Sequence, residues 1–177
     1  MLLERLGVPF STESPGVDEA EISGEAPPER ARRLAAAKAQ AVAFRHPEAV
    51  VIGSDQVAAA GEFILEKPAT LVRAREQLAA LSGAEARFYT ACTILAPAGS
   101  DAAHLDETRV VFRKLSAQEI ERYVAREQPL DCAGGFKAEA LGVALFERIE
   151  SSDPTALIGL PLIWVAAALR RFGHAVP

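Results

Sequence analysis

Ala49-Val50-Val51-Ile52-Gly53-Ser54-Asp55-Gln56 decides how the rest of the chain is read. Its first five residues form a continuous apolar run without polar alternation, the pattern of a central strand buried on both faces. Ser54, Asp55 and Gln56 stand just beyond the carboxyl end of that run, where α/β sheets place their ligands. Taken alone, an aspartate in this position more often reads as a turn or cap residue.

Upstream, residues 29–44 are dominated by Ala, Arg, Lys and Gln, which favours a helix. Pro27-Pro28 and the acidic stretch 18–25 lead into it as a loop, and His46-Pro47 ends it. Downstream, residues 61–65 read as a hairpin, 70–81 as a second helix, and Ser82-Gly83 as its stop. Segments 87–95 and 108–115 are rich in residues that favour strands. Ser116 and Glu119 form a capping box for a helix running to Glu127. Gly134-Gly135 marks a tight turn and 143–149 another strand. Asp153-Pro154 reads as the cap and first residue of a last helix ending near Arg171. Strands and helices interleave, so the class is α/β or α+β.

The chain has 177 residues, half of them hydrophobic and 24% charged. That suits one compact domain, or two small lobes around a cleft, and excludes global disorder. A net charge of −5 and a pI near 5.3 argue against a duplex nucleic-acid partner, which calls for a basic face. A small anionic ligand remains compatible, because a few lysines and a metal can bind it locally. Cys92 and Cys132 lie far apart with no CxxC pair, so the expectation is reduced thiols in the cytoplasm and no zinc site. Residues 1–10 lack the apolar core of a secretory signal. The longest apolar stretch, 156–169, is interrupted by Gly159 and Pro161, so no membrane span is expected.

Five further residues could do chemistry. Lys67, in Glu66-Lys67-Pro68, is held extended by the proline that follows, and a fixed lysine is a good point charge for phosphate. In an extended segment, Lys137 and Glu139 would share a face, and Gly134-Gly135 would let backbone approach a ligand. Asp18 and Glu19 are adjacent loop carboxylates of the kind that hold Mg²⁺ or Mn²⁺. Each also has an ordinary reading as a solvated surface residue. His46, His104 and His174 have no triad spacing, and Ser54 lacks a G-x-S-x-G setting. There is no P-loop and no G-x-G-x-x-G.

Taken together, the pieces resemble the Maf family of nucleotide pyrophosphatases. The segments that carry the resemblance are Val17-Asp18-Glu19, Ala37-Lys38-Ala39-Gln40, Ile52-Gly53-Ser54-Asp55-Gln56, Glu66-Lys67-Pro68 and Phe88-Tyr89-Thr90. Cys132-Ala133-Gly134-Gly135-Phe136-Lys137-Ala138-Glu139, Asp153-Pro154 and Gly159-Leu160-Pro161 complete the set. Their order and spacing match over essentially the whole chain. Ser-Asp-Gln together with Phe-Lys-x-Glu looks like the branch that hydrolyses 7-methyl-GTP. The thymidine and uridine triphosphate branch carries Ala-Asp-Thr, with Gln at the position of Glu139.

The resemblance implies an α/β fold with a bent, mixed β-sheet and flanking helices in two lobes around a cleft, residues 1–177 forming one such domain. It implies attack of water on the α-phosphorus with loss of pyrophosphate, Asp55 being the proton acceptor. Lys38, Lys67 and Lys137 would neutralise the triphosphate. A divalent metal, Mg²⁺ or Mn²⁺, would be held by Asp55 and Glu19. Gln56, Glu139 and Phe136 would set substrate specificity: Gln56 through its amide, Glu139 through its charge, and Phe136 by stacking on the cationic methylated base. Family members are often homodimers. They also begin with a strand running into Ser-x-Ser-Pro-x-Arg-Arg, whereas residues 1–6 here look like the helix that follows it. A longer cellular protein carrying that segment is therefore expected. The alternatives within and beyond this class are a dTTP/UTP pyrophosphatase and a catalytically weak nucleotide-binding regulator of cell division.

Overall fold

A computed structural model describes residues 2–177. Among them are four α-helices, α1 (Pro27–Arg45), α2 (Leu71–Leu81), α3 (Ala117–Glu127) and α4 (Leu162–Arg171). There are five strands, β1 (Val51–Ala60), β2 (Phe63–Leu65), β3 (Glu85–Leu95), β4 (Ala102–Phe112) and β5 (Phe146–Glu150). The strands form one open sheet in the order β2-β1-β3-β4-β5, with β1–β2 and β4–β5 antiparallel. The expected α/β class is the observed one.

The chain divides into two compact units. The first comprises residues 1–56, 89–107 and 152–177. In it the start of β1 has helix on both sides. Val50 and Ile52 pack with Cys92, Ile94 and the Val165, Ala168 and Leu169 face of α4. Val51, Gly53 and Asp55 alternate to the opposite face, where α1 lies. Ala31, Ala35 and Ala39 of α1 are fully buried. A Cβ on Gly53 would stand 2.5 Å from both Ala35 O and Ala39 N, so helix and strand approach backbone to backbone.

The second unit comprises residues 57–88 and 108–151. Phe88, Phe112, Phe136 and Phe146 pack edge-to-face, with ring centroids 5.0–5.4 Å apart, the geometry the ring quadrupole favours. α2 packs on α3 and on the Ala133–Gly135 turn. Thr70 caps α2, and the expected capping box at Ser116 and Glu119 opens α3.

Four expectations are corrected. β1 runs on to Ala60, so Ser54, Asp55 and Gln56 lie within the strand and not beyond its carboxyl end. The last helix begins at Leu162, not Pro154. Between them lie a 3-10 turn, Ala156–Ile158, and Gly159 at φ 113°. Asp153 still caps the helix, from a distance: its Oδ2 accepts from Ile163 N at 2.7 Å, while Thr155 Oγ1 accepts from Leu162 N at 2.8 Å. The strand expected at 143–149 starts at Phe146, because Leu141–Leu145 coil into a 3-10 helix. At the N-terminus, Leu3–Leu6 form a single 3-10 turn, and Met1 lies outside the described residues. None of the helices among the described residues is long and apolar enough to cross a membrane.

Gly53→Ala should cost about 1–3 kcal/mol through overpacking, because the atoms it meets are backbone and cannot rotate away. That exceeds the gain of up to about 1 kcal/mol from a stiffer unfolded chain. Thermal unfolding should show a clear fall in Tm; an unchanged Tm would refute the close approach.

Candidate functional site

The close contact at Gly53 sets the charged group of the first unit. Lys38 follows Leu34 by four residues and Ala35 by three, so it shares their buried face on α1. Asp55 follows Gly53 by two and shares its face of β1. The two side chains meet, with Lys38 Nζ 2.6 Å from Asp55 Oδ1. Glu19 Oε1 completes the group at 2.8 Å from the same ammonium.

Glu19 arrives there because its loop is fastened to α1. Arg33 grips Glu25 through two bonds of 2.6 and 2.7 Å and also donates to Ala20 O. Arg30 pairs with Glu21 at 2.5 Å. Asp18 Oδ1 accepts from Ala20 N at 2.9 Å, closing a local turn. Arg30 and Arg33 thus hold the acidic loop and add positive field at Asp55. Neither was singled out from sequence. Their signal was a pair of arginines three apart on a helix that follows an acidic stretch.

Burial pushes the Asp55 carboxyl above its ordinary 3.8, and neighbouring Glu19 pushes the same way; the Lys38 hydrogen bond and charge oppose them. For Lys38, burial acts against the charge, but hydrogen bonds from Asp55 and Glu19 outweigh it and raise the ammonium above its ordinary value. The result is a permanently charged lysine beside a carboxylate whose proton affinity is increased, the tuning a general base needs.

Ser54 and Gln56 face the other way. Ser54 Oγ lies 2.8 Å from Ala91 O and 2.9 Å from Gly159 O. Gln56 Nε2 reaches Thr90 Oγ1, Ala156 O and Leu157 O at 2.9–3.1 Å. An amide nitrogen has two hydrogens, and these three acceptors occupy them. The Gln56 amide hydrogens are therefore taken up within the protein.

In the second unit, Lys137 pairs with Asp131, and the charge of Lys67 is felt there too. Lys137 Nζ lies 3.7 Å from Asp131 Oδ1 and 4.0 Å from Glu127 Oε1. The Asp131 carboxyl sits below its ordinary range, chiefly because its own backbone N–H and the Cys132 thiol bind it, with Lys137 and Lys67 adding to the effect. Glu66 O accepts from Gln77 Nε2 at 3.0 Å and from Gly134 N at 3.4 Å, and Ala69 N donates to Leu130 O. These bonds tie the segment carrying Lys67 to the segment leading to Lys137. Gly134 and Gly135 both have φ above 70°, so the expected glycine turn is present.

Two expectations for this segment change. Residues 137–142 are a turn, not extended: Ala140 N and Gly142 N both donate to Lys137 O. The shared-face argument for Lys137 and Glu139 therefore does not hold, and Glu139 stands exposed at the turn tip. Phe136 is 4% exposed and its ring belongs to the aromatic core, so it has no free face for a base to stack on.

Burial pushes the Cys92 and Cys132 thiols up to about 12 and about 11, so neither serves as a nucleophile at neutral pH. Among the described residues no three His, Cys, Asp or Glu side chains group as metal ligands. The Glu19–Asp55 pair does fit a hard divalent ion: two carboxylates from different elements already bridge one cation, the Lys38 ammonium. Mg²⁺ typically takes one or two carboxylates and completes its shell with phosphate oxygens and water.

Comparison with known proteins identifies the family. The Maf-like protein family profile matches residues 1–172. A protein of Xanthomonas campestris pv. campestris (strain 8004) named 7-methyl-GTP pyrophosphatase is 54% identical over 176 residues, covering 99% of this chain and 92% of that protein. Proteins of the same name from Aromatoleum aromaticum and Pseudomonas putida are each 50% identical, covering 100% and 99% of this chain and 92% of each relative. With the motifs in order along the sequence and half or more of the residues shared across nearly its full length, the chain belongs to the Maf family.

Proposed function

We propose that this chain is a nucleoside triphosphate pyrophosphatase that hydrolyses 7-methyl-GTP to 7-methyl-GMP and diphosphate in the cytoplasm. The observation that carries the reading is the buried Asp55 carboxylate, paired to Lys38 and flanked by Glu19. The relatives' shared name supports the substrate.

Asp55 accepts the proton of the attacking water as it closes on the α-phosphorus; the bond to the β-phosphate bridging oxygen breaks and diphosphate leaves. Lys38 keeps Asp55 ionised and oriented, so the base is held before substrate arrives. Glu19 and Asp55 would hold a divalent cation, Mg²⁺ or Mn²⁺, whose chemistry is charge neutralisation on phosphate oxygens. Lys67 and Lys137 supply positive charge to the triphosphate, and electrostatic positioning of this kind is the main source of rate in phosphoryl transfer. N7 methylation makes guanine cationic, and the carboxylate of Glu139 favours that charge where a neutral Gln would not.

Three measurements test the reading. Asp55→Asn should lower diphosphate release by roughly 100-fold or more while keeping a near-native Tm; full activity would remove Asp55 from the chemistry. Lys38→Met removes the chief influence lowering the Asp55 pKa. Activity needs the carboxylate, so the acidic limb of the pH–rate profile should move to higher pH; a limb that stays put, or moves down, contradicts the pairing. Among 7-methyl-GTP, GTP, dTTP and UTP, kcat/KM should be highest for 7-methyl-GTP, and a pyrimidine preference would overturn the substrate.

A further inference from the structure

The 137–142 turn carries Lys137 and Glu139, the residues the proposed function assigns to phosphate and base. It is gripped by one face of α3. Tyr123 and Glu127 are four residues apart on that helix and therefore side by side. The Tyr123 hydroxyl accepts from Lys137 N at 3.0 Å, and Glu127 Oε2 accepts from Leu141 N at 3.2 Å. The N–H groups near the two ends of the turn thus bind side chains of a single helix. Between them, Lys137 O accepts from Ala140 N at 3.3 Å and Gly142 N at 3.1 Å. A Cβ at Gly142 would lie 2.3 Å from that same oxygen, so the turn closes tightly because residue 142 has no side chain.

The same two α3 side chains also act on the charges the turn presents. Glu127 Oε1 is 4.0 Å from Lys137 Nζ, so one carboxylate holds both the backbone and the ammonium of the segment. The Tyr123 ring is buried, with the residue 3% exposed, and phenylalanine would fill that space equally well. What the hydroxyl adds is its bond to Lys137 N.

We propose that Tyr123 and Glu127 are positioning residues, which fix the 137–142 turn on α3 and so set both the reach of Lys137 and the place of Glu139 that discriminates between nucleobases. The proposal rests on the roles given to Lys137 and Glu139 above. Neither α3 residue need touch the nucleotide. Loosening the turn lets Glu139 swing at its tip, which weakens discrimination between a cationic and a neutral guanine more than it weakens the fold.

The test compares Tyr123→Phe, Glu127→Ala and Glu127→Gln in the full chain, using kcat/KM for 7-methyl-GTP and for GTP, Tm, and amide hydrogen exchange of the peptide spanning 136–143. Losing one such bond is expected to lower the 7-methyl-GTP to GTP ratio about fivefold in Tyr123→Phe and Glu127→Ala. Exchange in the 136–143 peptide should rise while α3 stays protected. Glu127→Gln keeps an acceptor for Leu141 N and should restore much of the ratio lost in Glu127→Ala. Equal losses for both nucleotides with a lower Tm would show a merely structural role and overturn the proposal, as would unchanged exchange in the turn. A wild-type enzyme that ignores 7-methyl-GTP would sink the substrate reading alone. The positioning role would then be read from exchange and from KM for the nucleotide that is hydrolysed, and unchanged values would overturn it.

Discussion

α1 and β1 touch backbone to backbone at Gly53, and the Lys38–Asp55 pair follows from that contact. The alanines at 31, 35 and 39 give α1 a smooth face, and the absent side chain at Gly53 gives β1 a matching gap. With the helix so close, a lysine on its buried side has one place to put its charge. Lys38 finds Asp55 two residues beyond the gap. A larger residue at 53 would push the helix outward and lengthen an ion pair whose partners are both largely withdrawn from water. The same contact serves packing and chemistry, which is why small residues are needed where larger ones would bury more apolar surface.

That ion pair is poised rather than merely stabilising. Burial alone would neutralise Asp55 or leave it uncompensated. Lys38 alone would hold it so firmly ionised that it would be a poor proton acceptor. Here the two influences oppose each other, and Glu19 adds repulsion from the side facing the loop. Arg30 and Arg33 decide whether Glu19 is present at all, because they fasten the loop that carries it. The acidic stretch before α1, which in isolation reads as solvated chain, is therefore part of the electrostatic setting of the base.

The sequence was most legible where local chemistry dominates. The Ser116–Glu119 box and the Gly134-Gly135 turn are dictated by residues within a few positions of one another, and each was found where expected. The apolar run before Ser54 marked a strand but not its extent, because β1 continues through Asp55 to Ala60. Asp153-Pro154 misled because a sound local cap was available, yet Gly159 and Pro161 interrupt the chain and the aspartate caps the helix ten residues on. Phe136 was chosen for its ring, but its burial depends on Phe88, Phe112 and Phe146, which no local pattern brings together. For Lys137 and Glu139 the alternation rule fails, because it applies only to extended chain and Gly142 folds this segment into a turn.

Ser54-Asp55-Gln56 shows how one tripeptide divides its labour by strand alternation. Asp55 faces α1 and the charges that tune it. Ser54 and Gln56 face the 156–159 turn and fix it through bonds to Ala156, Leu157 and Gly159 backbone oxygens. A strand residue cannot serve both faces, so the neighbours of Asp55 are spent on holding the 156–159 turn against the strand. In the second unit, Glu139 is exposed yet held in place, at the tip of a turn bonded near both ends. An exposed carboxylate on a loose loop would lose entropy on meeting its ligand. A buried one would need its own compensating cation. A clamped turn avoids both costs.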